Sequence, residues 1–244
     1  MLARTLWLRG YPDQAIREAR EADPLAPQDP VSACLALIWS ASLLHWVGDW
    51  DQEERLLARL VQLATEHSLE PYKWVGVGFQ GDVRVQRGDA ATGVEMMRNA
   101  LNTLRAGGYS FNTPWLGANL AAGLSVLGHV DQALSQMAEA LAAIGLGSDA
   151  YNLPDLWRIH GDILGLAGDT VAARARFEAA IALADEQGAL SWRLRIATSL
   201  ARLDRDLGRP HAGRALLAET YGRFQEGFGT PDLIAARTLL DDLG

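Results

Sequence analysis

The chain has 244 residues, of which 49% are hydrophobic and 21% charged, a balance that excludes a disordered polypeptide. Its formal charge of −8 excludes the basic surface with which a nucleic-acid binder neutralises phosphate. A single cysteine, Cys34, excludes an intramolecular disulfide framework and a multi-cysteine metal site. Cys34 lies in an apolar run and reads as a buried, inert thiol.

The segment "MLARTLWLRG" lacks the long apolar core of a signal peptide. It supplies only half of a helix before Gly10, so the chain reads as starting inside a structural unit, as an excised fragment or a short reading frame would. "GYPDQAI" follows from Gly10. Val31 to Val47 carries no formal charge and approaches the length of a membrane span. With Ser32, Ser40, Ser42 and His45 inside it, this run reads instead as a helix buried on most sides. The chain is expected to be cytoplasmic, with no membrane partner.

"GDWDQEE" then begins at Gly48, "GDAATGV" at Gly88, "GHVDQAL" at Gly128, "GDTVAAR" at Gly168 and "GRPHAGR" at Gly208. With Gly10, the intervals are 38, 40, 40, 40 and 40 residues. A fixed period of this size marks a repeat architecture. The copy from Leu153 to Gly188 shows its anatomy. Pro154 suits a first helical turn. Trp157, Ile159, Leu164 and Leu166 give a helical apolar pattern, which Gly168-Asp169 breaks. Ala172, Ala173, Ala175, Phe177, Ala179, Ala180, Ile181 and Leu183 form a second helix with a small-residue face, closed by Gly188. Each unit is an antiparallel helix pair.

Small residues recur in register. Seven before each turn glycine stand Ala3, Ala41, Gly81, Ala121, Gly161 and Ala201. Five after it stand Ala15, Gly93, Ala133, Ala173 and Gly213, with Glu53 the exception. Twelve after it stand Ala22, Leu60, Ala100, Ala140, Ala180 and Thr220. Such positions let two helices approach to about 8–10 Å. Nine after it the residue is bulky, as Leu57, Met97, Met137, Phe177 and Leu217, with Ala19 breaking the pattern. At the far end, Thr230, Pro231 and Asp232 read as N-cap, first turn and acidic start of a capping helix. Leu233, Ile234, Leu239, Leu240 and Leu243 would be its apolar face.

Trp157, Gly161, Gly168, Ala173, Phe177 and Ala180 together resemble the tetratricopeptide repeat, stretched here from 34 to about 40 residues. The resemblance implies an all-α solenoid of about six helix pairs, a right-handed superhelix with a C-terminal capping helix. It forms a single repeat domain over 1–244, with repeats about 1–28, 29–69, 70–110, 111–151, 152–189 and 190–228 and the cap at 230–244. Stretched repeats of this kind resemble the sensor arrays of large bacterial regulators, including the maltotriose-responsive transcription activator. The segment Leu194–Leu243, with "LRGYPDQAIREA" and "LWRIHGDIL", resembles the C-terminal tail of large bacterial signalling proteins. Their other parts are a cyclase-like or DNA-binding domain and a STAND-type ATPase. No GxxxxGK[ST] loop and no cyclase signature occurs in this chain, so those activities do not transfer.

In stacked helix pairs the first helices line a concave groove. Positions ten, six and three before each glycine share one helical face. They are Ile38, Ser42 and His45; Gly78, Asp82 and Val85; Ala118, Ala122 and Ser125; Arg158, Asp162 and Gly165; Thr198, Arg202 and Arg205. The first part of the groove is small or apolar and the last part charged. Arg158, Asp162, Arg195, Arg202 and Arg205 would clamp an acidic partner segment or form solvated ion pairs among themselves. None of the lining positions is Lys or Asn, so the chaperone-tail clamp of some related repeats is not expected. Asp82 and Trp115 complete the candidate partner-binding set. Trp115 is of interest because the Tyr109–Phe111 loop could fold over the groove.

Catalysis finds no support. His45, His67, His129, His160 and His211 are scattered, and no pair has metal-ligand spacing. Ser125 and Ser199 have no neighbouring His, and Asp155, seven before Asp162, is explained by helix capping. No metal and no cofactor is expected. The sequence therefore points to a non-enzymatic regulatory module that binds a protein or peptide, or other domains of its own parent polypeptide, in its groove. The alternative is a small-molecule effector array that controls a linked ATPase, cyclase or transcription regulator. The incomplete first repeat leaves a homodimer open.

Overall fold

The computed structural model describes residues 2–21, 29–144 and 150–244. Its described residues form thirteen α-helices and one short 3-10 turn. The six turn glycines explain most of the layout. Gly10, Gly48, Gly88, Gly128, Gly168 and Gly208 all have positive φ, between 71° and 91°, a region that a side chain makes costly. Each ends one helix and opens its antiparallel partner. At Gly88 the amide bonds the Val85 carbonyl and the next amide, Asp89, bonds Arg84, which satisfies carbonyls at the helix end. Asp49, Asp89 and Asp169 then cap the second helix by accepting from Gln52, Thr92 and Ala172 amides.

The pairs are α1 (Leu2–Leu8) with α2 (Pro12–Glu21), α3 (Pro30–Val47) with α4 (Trp50–Glu66), and α5 (Glu70–Gln86) with α6 (Ala90–Ala106). They continue as α7 (Thr113–Val126) with α8 (Val130–Ala142), α9 (Leu153–Leu166) with α10 (Thr170–Gln187), and α11 (Leu190–Asp206) with α12 (Pro210–Tyr221). The capping helix α13 spans Pro231–Asp242. The described residues are thus all-α, six helix pairs and a cap.

The register of small residues is the packing rule. Ala41, Ala121, Ala201, Ala15, Ala133, Ala173, Ala100, Ala140 and Ala180 are all fully buried. A Cβ on Gly81 would meet the Gly93 carbonyl at 2.8 Å, and one on Gly161 would meet the Phe177 ring at 2.5 Å. The bulky residues nine after each glycine, Leu57, Met97, Met137, Phe177 and Leu217, fill the core between the pairs. Ala22 lies outside the described residues. The capping helix departs from expectation at Ile234, which is 51% exposed while Ala236 is buried in its place. Thr230 precedes α13 as expected, yet its hydroxyl donates back to the Gly227 carbonyl instead of capping the helix.

The chain divides into two compact units. One comprises Ala19–Ala150 and holds α3 to α8. The other combines Met1–Glu18 with Tyr151–Gly244, so α1 and the start of α2 pack with α9 to α13. In this second unit Trp7 is buried edge-on against Trp192, with centroids 4.7 Å apart. The Ser191 hydroxyl donates to the Trp7 carbonyl at 2.5 Å. Gln14 donates twice to the Glu226 carboxylate, and the Gly227 amide donates to Asp13. α1 and the start of α2 are thus tied to α11 and to the segment before α13. α3 is long and apolar enough to cross a membrane, and half of it is buried inside its unit.

Candidate functional site

The first helices of each unit carry a polar network at the same repeat position. In the unit of α3 to α8, Asp82 stands six before its glycine. Its carboxylate accepts from Asn119 Nδ2 of α7 at 2.5 Å and from Gln86 Nε2 at 3.4 Å. The His45 imidazole of α3 lies between two carboxylates, with Nδ1 3.2 Å from Glu53 and Nε2 3.4 Å from Asp82. Glu53 is 1% exposed. Burial pushes its carboxyl above the usual range, and His45 only partly opposes this.

In the other unit, Asp162 occupies the equivalent position, where Ser199 of α11 opposes the upward push of burial on its carboxyl. Asn119 and Ser199 both stand nine before the next turn glycine. Arg158 donates to Asp155 at 2.5 Å and to Asp162 at 2.8 Å. Burial alone would lower the Arg158 guanidinium, but Asp155 and Asp162 outweigh it and hold the group above its ordinary value. Arg195 donates to Asp232 of α13 at 2.8 Å and lies 3.9 Å from Asp155. Its guanidinium also sits 5.1 Å from the ring centres of Trp7 and Trp192. Asp155, 1% exposed, is thus the buried centre of an ion-pair cluster, a role beyond the helix capping expected of it.

The expected lining residues are sorted by this geometry. Four of the five positions ten before the glycine do not line a groove, Arg158 being the exception. Ile38, Gly78, Ala118 and Thr198 are buried, because a side chain there points at the next first helix. A Cβ on Gly78 would meet Leu116 at 2.6 Å. Positions six and three before it are the ones that reach the surface, as Ser42, His45, Ala122, Ser125, Asp162, Arg202 and Arg205 do at least in part. Arg158, Asp162 and Arg195 are brought together through Asp155, and exposed Arg202 acts on the Asp162 carboxylate. Arg205 is exposed and pairs with its neighbour Asp206. Asp82 is buried in the other network. Trp115 is only 7% exposed at the start of α7.

The loop before α7 does fold over first helices. Tyr109 and Phe111 stack edge-on, Phe111 meets Trp39 of α3, and Tyr109 meets Tyr72 of α5. Burial pushes the Tyr109 hydroxyl up to about 12. His160 is half-buried, and burial together with Arg176 lowers its imidazole, as suits a boundary residue. Among the described residues no group of three His, Cys, Asp or Glu could hold a metal ion.

Glu53 and Asn119 are among the members of these networks that groove geometry misses. Each had a signal: Glu53 breaks the small-residue register, and Asn119 is the one hydrogen-bonding amide in the apolar run "WLGANLAAGL".

These features define a tetratricopeptide-like helical-repeat fold. The backbone is similar to the crystal structure of BtubC (BKLC) from P. vanneervenii, with a TM-score of 0.50 at 19% identity over 72% of each chain. The crystal structure of the APC/C hetero-tetramer Cut9-Hcn1 aligns with 99% of this chain and 48% of that one, at 14% identity and a TM-score of 0.46. In sequence, the chain is 26% identical over 215 residues to an uncharacterized protein of Rhizobium meliloti (strain 1021). That match covers 85% of this chain and 20% of the relative, so the chain spans about a fifth of the relative's length. No family model matches it.

Proposed function

We propose that the chain is a non-catalytic interaction scaffold that holds an acidic segment of a partner protein along its first helices. The observation that supports this reading is the contrast on α9 and α11. Arg158 and Arg195 are committed to Asp155, Asp162 and Asp232. Arg202 and Arg205 are exposed at groove positions, where Arg205 pairs with its exposed neighbour Asp206 and Arg202 acts on the Asp162 carboxylate. With Arg158 and Arg195 held by three carboxylates beneath them, the two exposed guanidinium forks suit carboxylate recognition. The segment to be held belongs to a separate protein or to another part of a larger parent polypeptide. The second source fits a relative that extends far beyond the matched fifth. In that setting the array is the regulatory tail of a cyclase- or STAND-ATPase-type regulator.

The test is affinity capture from the source lysate with the parent chain and with Arg202→Glu/Arg205→Glu. A protein retained by the parent and lost by the variant supports the scaffold. Equal capture by both removes the arginine pair from the reading. The small-molecule reading draws on the polar floor of His45, Asp82 and Asn119 in the other unit. It gains if no protein is captured while a metabolite raises the melting temperature.

A further inference from the structure

The His45 network has a proton count that its geometry fixes. Glu53 Oε2 faces Nδ1 at 3.2 Å and Asp82 Oδ2 faces Nε2 at 3.4 Å. Ionised carboxylates only accept, and a neutral imidazole has one N–H. With both carboxylates ionised and the ring neutral, one ring nitrogen would face an oxygen with lone pair against lone pair. Water offers little relief, since Glu53 is 1% and Asp82 4% exposed. The closed arrangement needs one extra proton, on the ring or on a carboxylate.

The neighbouring polar groups favour one side of the cluster. Asn119 of α7 and Gln86 of α5 donate to Asp82 rather than to Glu53. The cation that acts on Glu53 besides His45 is Arg87, just past α5, which is itself exposed and paired with Asp51 and Glu54 of α4.

We infer that His45, Glu53 and Asp82 form a proton-dependent clasp that ties α3 to α4 and α5 while it holds one extra proton and loosens when that proton is lost. The extra proton belongs to the His45–Glu53 pair and not to either group alone. The folded cluster binds the proton more tightly than the unfolded chain, whose imidazole titrates near about 6.5. The clasp's contribution is therefore complete below that value and is lost as pH rises through the cluster's own, higher value. The raised Glu53 carboxyl acts in the same direction. Because α3 and α5 are first helices, the switch sits under the groove positions of that unit.

The experiment is urea unfolding of the full chain between pH 5.5 and 9, for the parent and for Glu53→Gln and His45→Gln. In the parent, the unfolding constant should rise by up to about tenfold per pH unit between the unfolded imidazole's value and the cluster's. In Glu53→Gln the amide donates to Nδ1 of a neutral ring whose Nε2–H still serves Asp82. That network closes without the extra proton, so the pH dependence should flatten while the fold is kept. His67, His129, His160 and His211 are common to parent and variant, so the difference isolates the clasp. A parent with pH-independent stability, or a Glu53→Gln slope equal to the parent's, overturns the inference. Should His45→Gln fail to fold, the parent and Glu53→Gln curves still decide it.

Discussion

Gly161 shows how one atom sets a helix contact. A Cβ there would lie 2.5 Å from the Phe177 ring, whereas one on Gly168 would meet nothing within 4 Å but would sit at φ 85°. Gly161→Leu should cost about 1–3 kcal/mol through overpacking. Gly168→Ala should cost about 1 kcal/mol through backbone strain alone. Denaturant midpoints of the two variants check both, and a Gly161→Leu that unfolds like the parent would break the repeat register. Arg158 and Arg202 make a second contrast. Their sequence positions suggest equal groove residues, with a joint charge reversal that leaves the fold intact. In the fold, Arg158 neutralises the buried Asp155, so Arg158→Glu should cost about 3–5 kcal/mol by leaving an uncompensated charge. Arg202→Glu, on an exposed side chain, should stay within about 0.5 kcal/mol. Equal losses in the two variants would remove the distinction between base and binding surface.

At the scale of the helix pair, most of the architecture is legible in the sequence because it is local. Turn glycines, aspartate caps and small residues seven before and five after the turn are short-range requirements, and they repeat. What periodicity cannot show is which side of a first helix faces the next pair. The position ten before the glycine shares a helical face with the other two, yet Gly78 packs on Leu116. Facing direction depends on the stacking of neighbours, a longer-range fact. The capping helix makes the same point. Its leucines read as an apolar face, but Ile234 is exposed and Ala236 takes the contact with the Leu194 and Leu217 core. Leu239→Ala should cost about 2–5 kcal/mol and raise amide exchange in α11 and α12. Unchanged exchange there would mean that α13 does not seal the last pair.

At the scale of the whole chain, the least legible feature is the company kept by α1. Sequence order places it beside α3, yet Trp7 is buried on Trp192 in the unit of residues 151–244. No local pattern encodes that choice. It rests on single non-local contacts such as Gln14 with Glu226 and Asp13 with Gly227. Trp7→Ala should therefore speed amide exchange in 190–195 and 222–230 while leaving α5 and α6 at parental rates. Faster exchange in α5 and α6 instead would assign the first pair to the wrong unit. Site legibility follows the same division. Of the five residues expected to cluster, Arg158, Asp162 and Arg195 meet through Asp155, Arg202 acts on Asp162 and Arg205 pairs with Asp206 instead, while Glu53 enters its network from a packing position and Asp155 from an expected cap. The central claim is that exposed arginines on this ion-paired base hold an acidic partner segment. Its most direct test is calorimetric titration of the captured partner into the parent chain and into Arg202→Glu/Arg205→Glu. The account predicts parental binding that weakens with salt and falls at least about tenfold in the variant, with both chains equally stable. Equal affinity in two equally stable chains would contradict it.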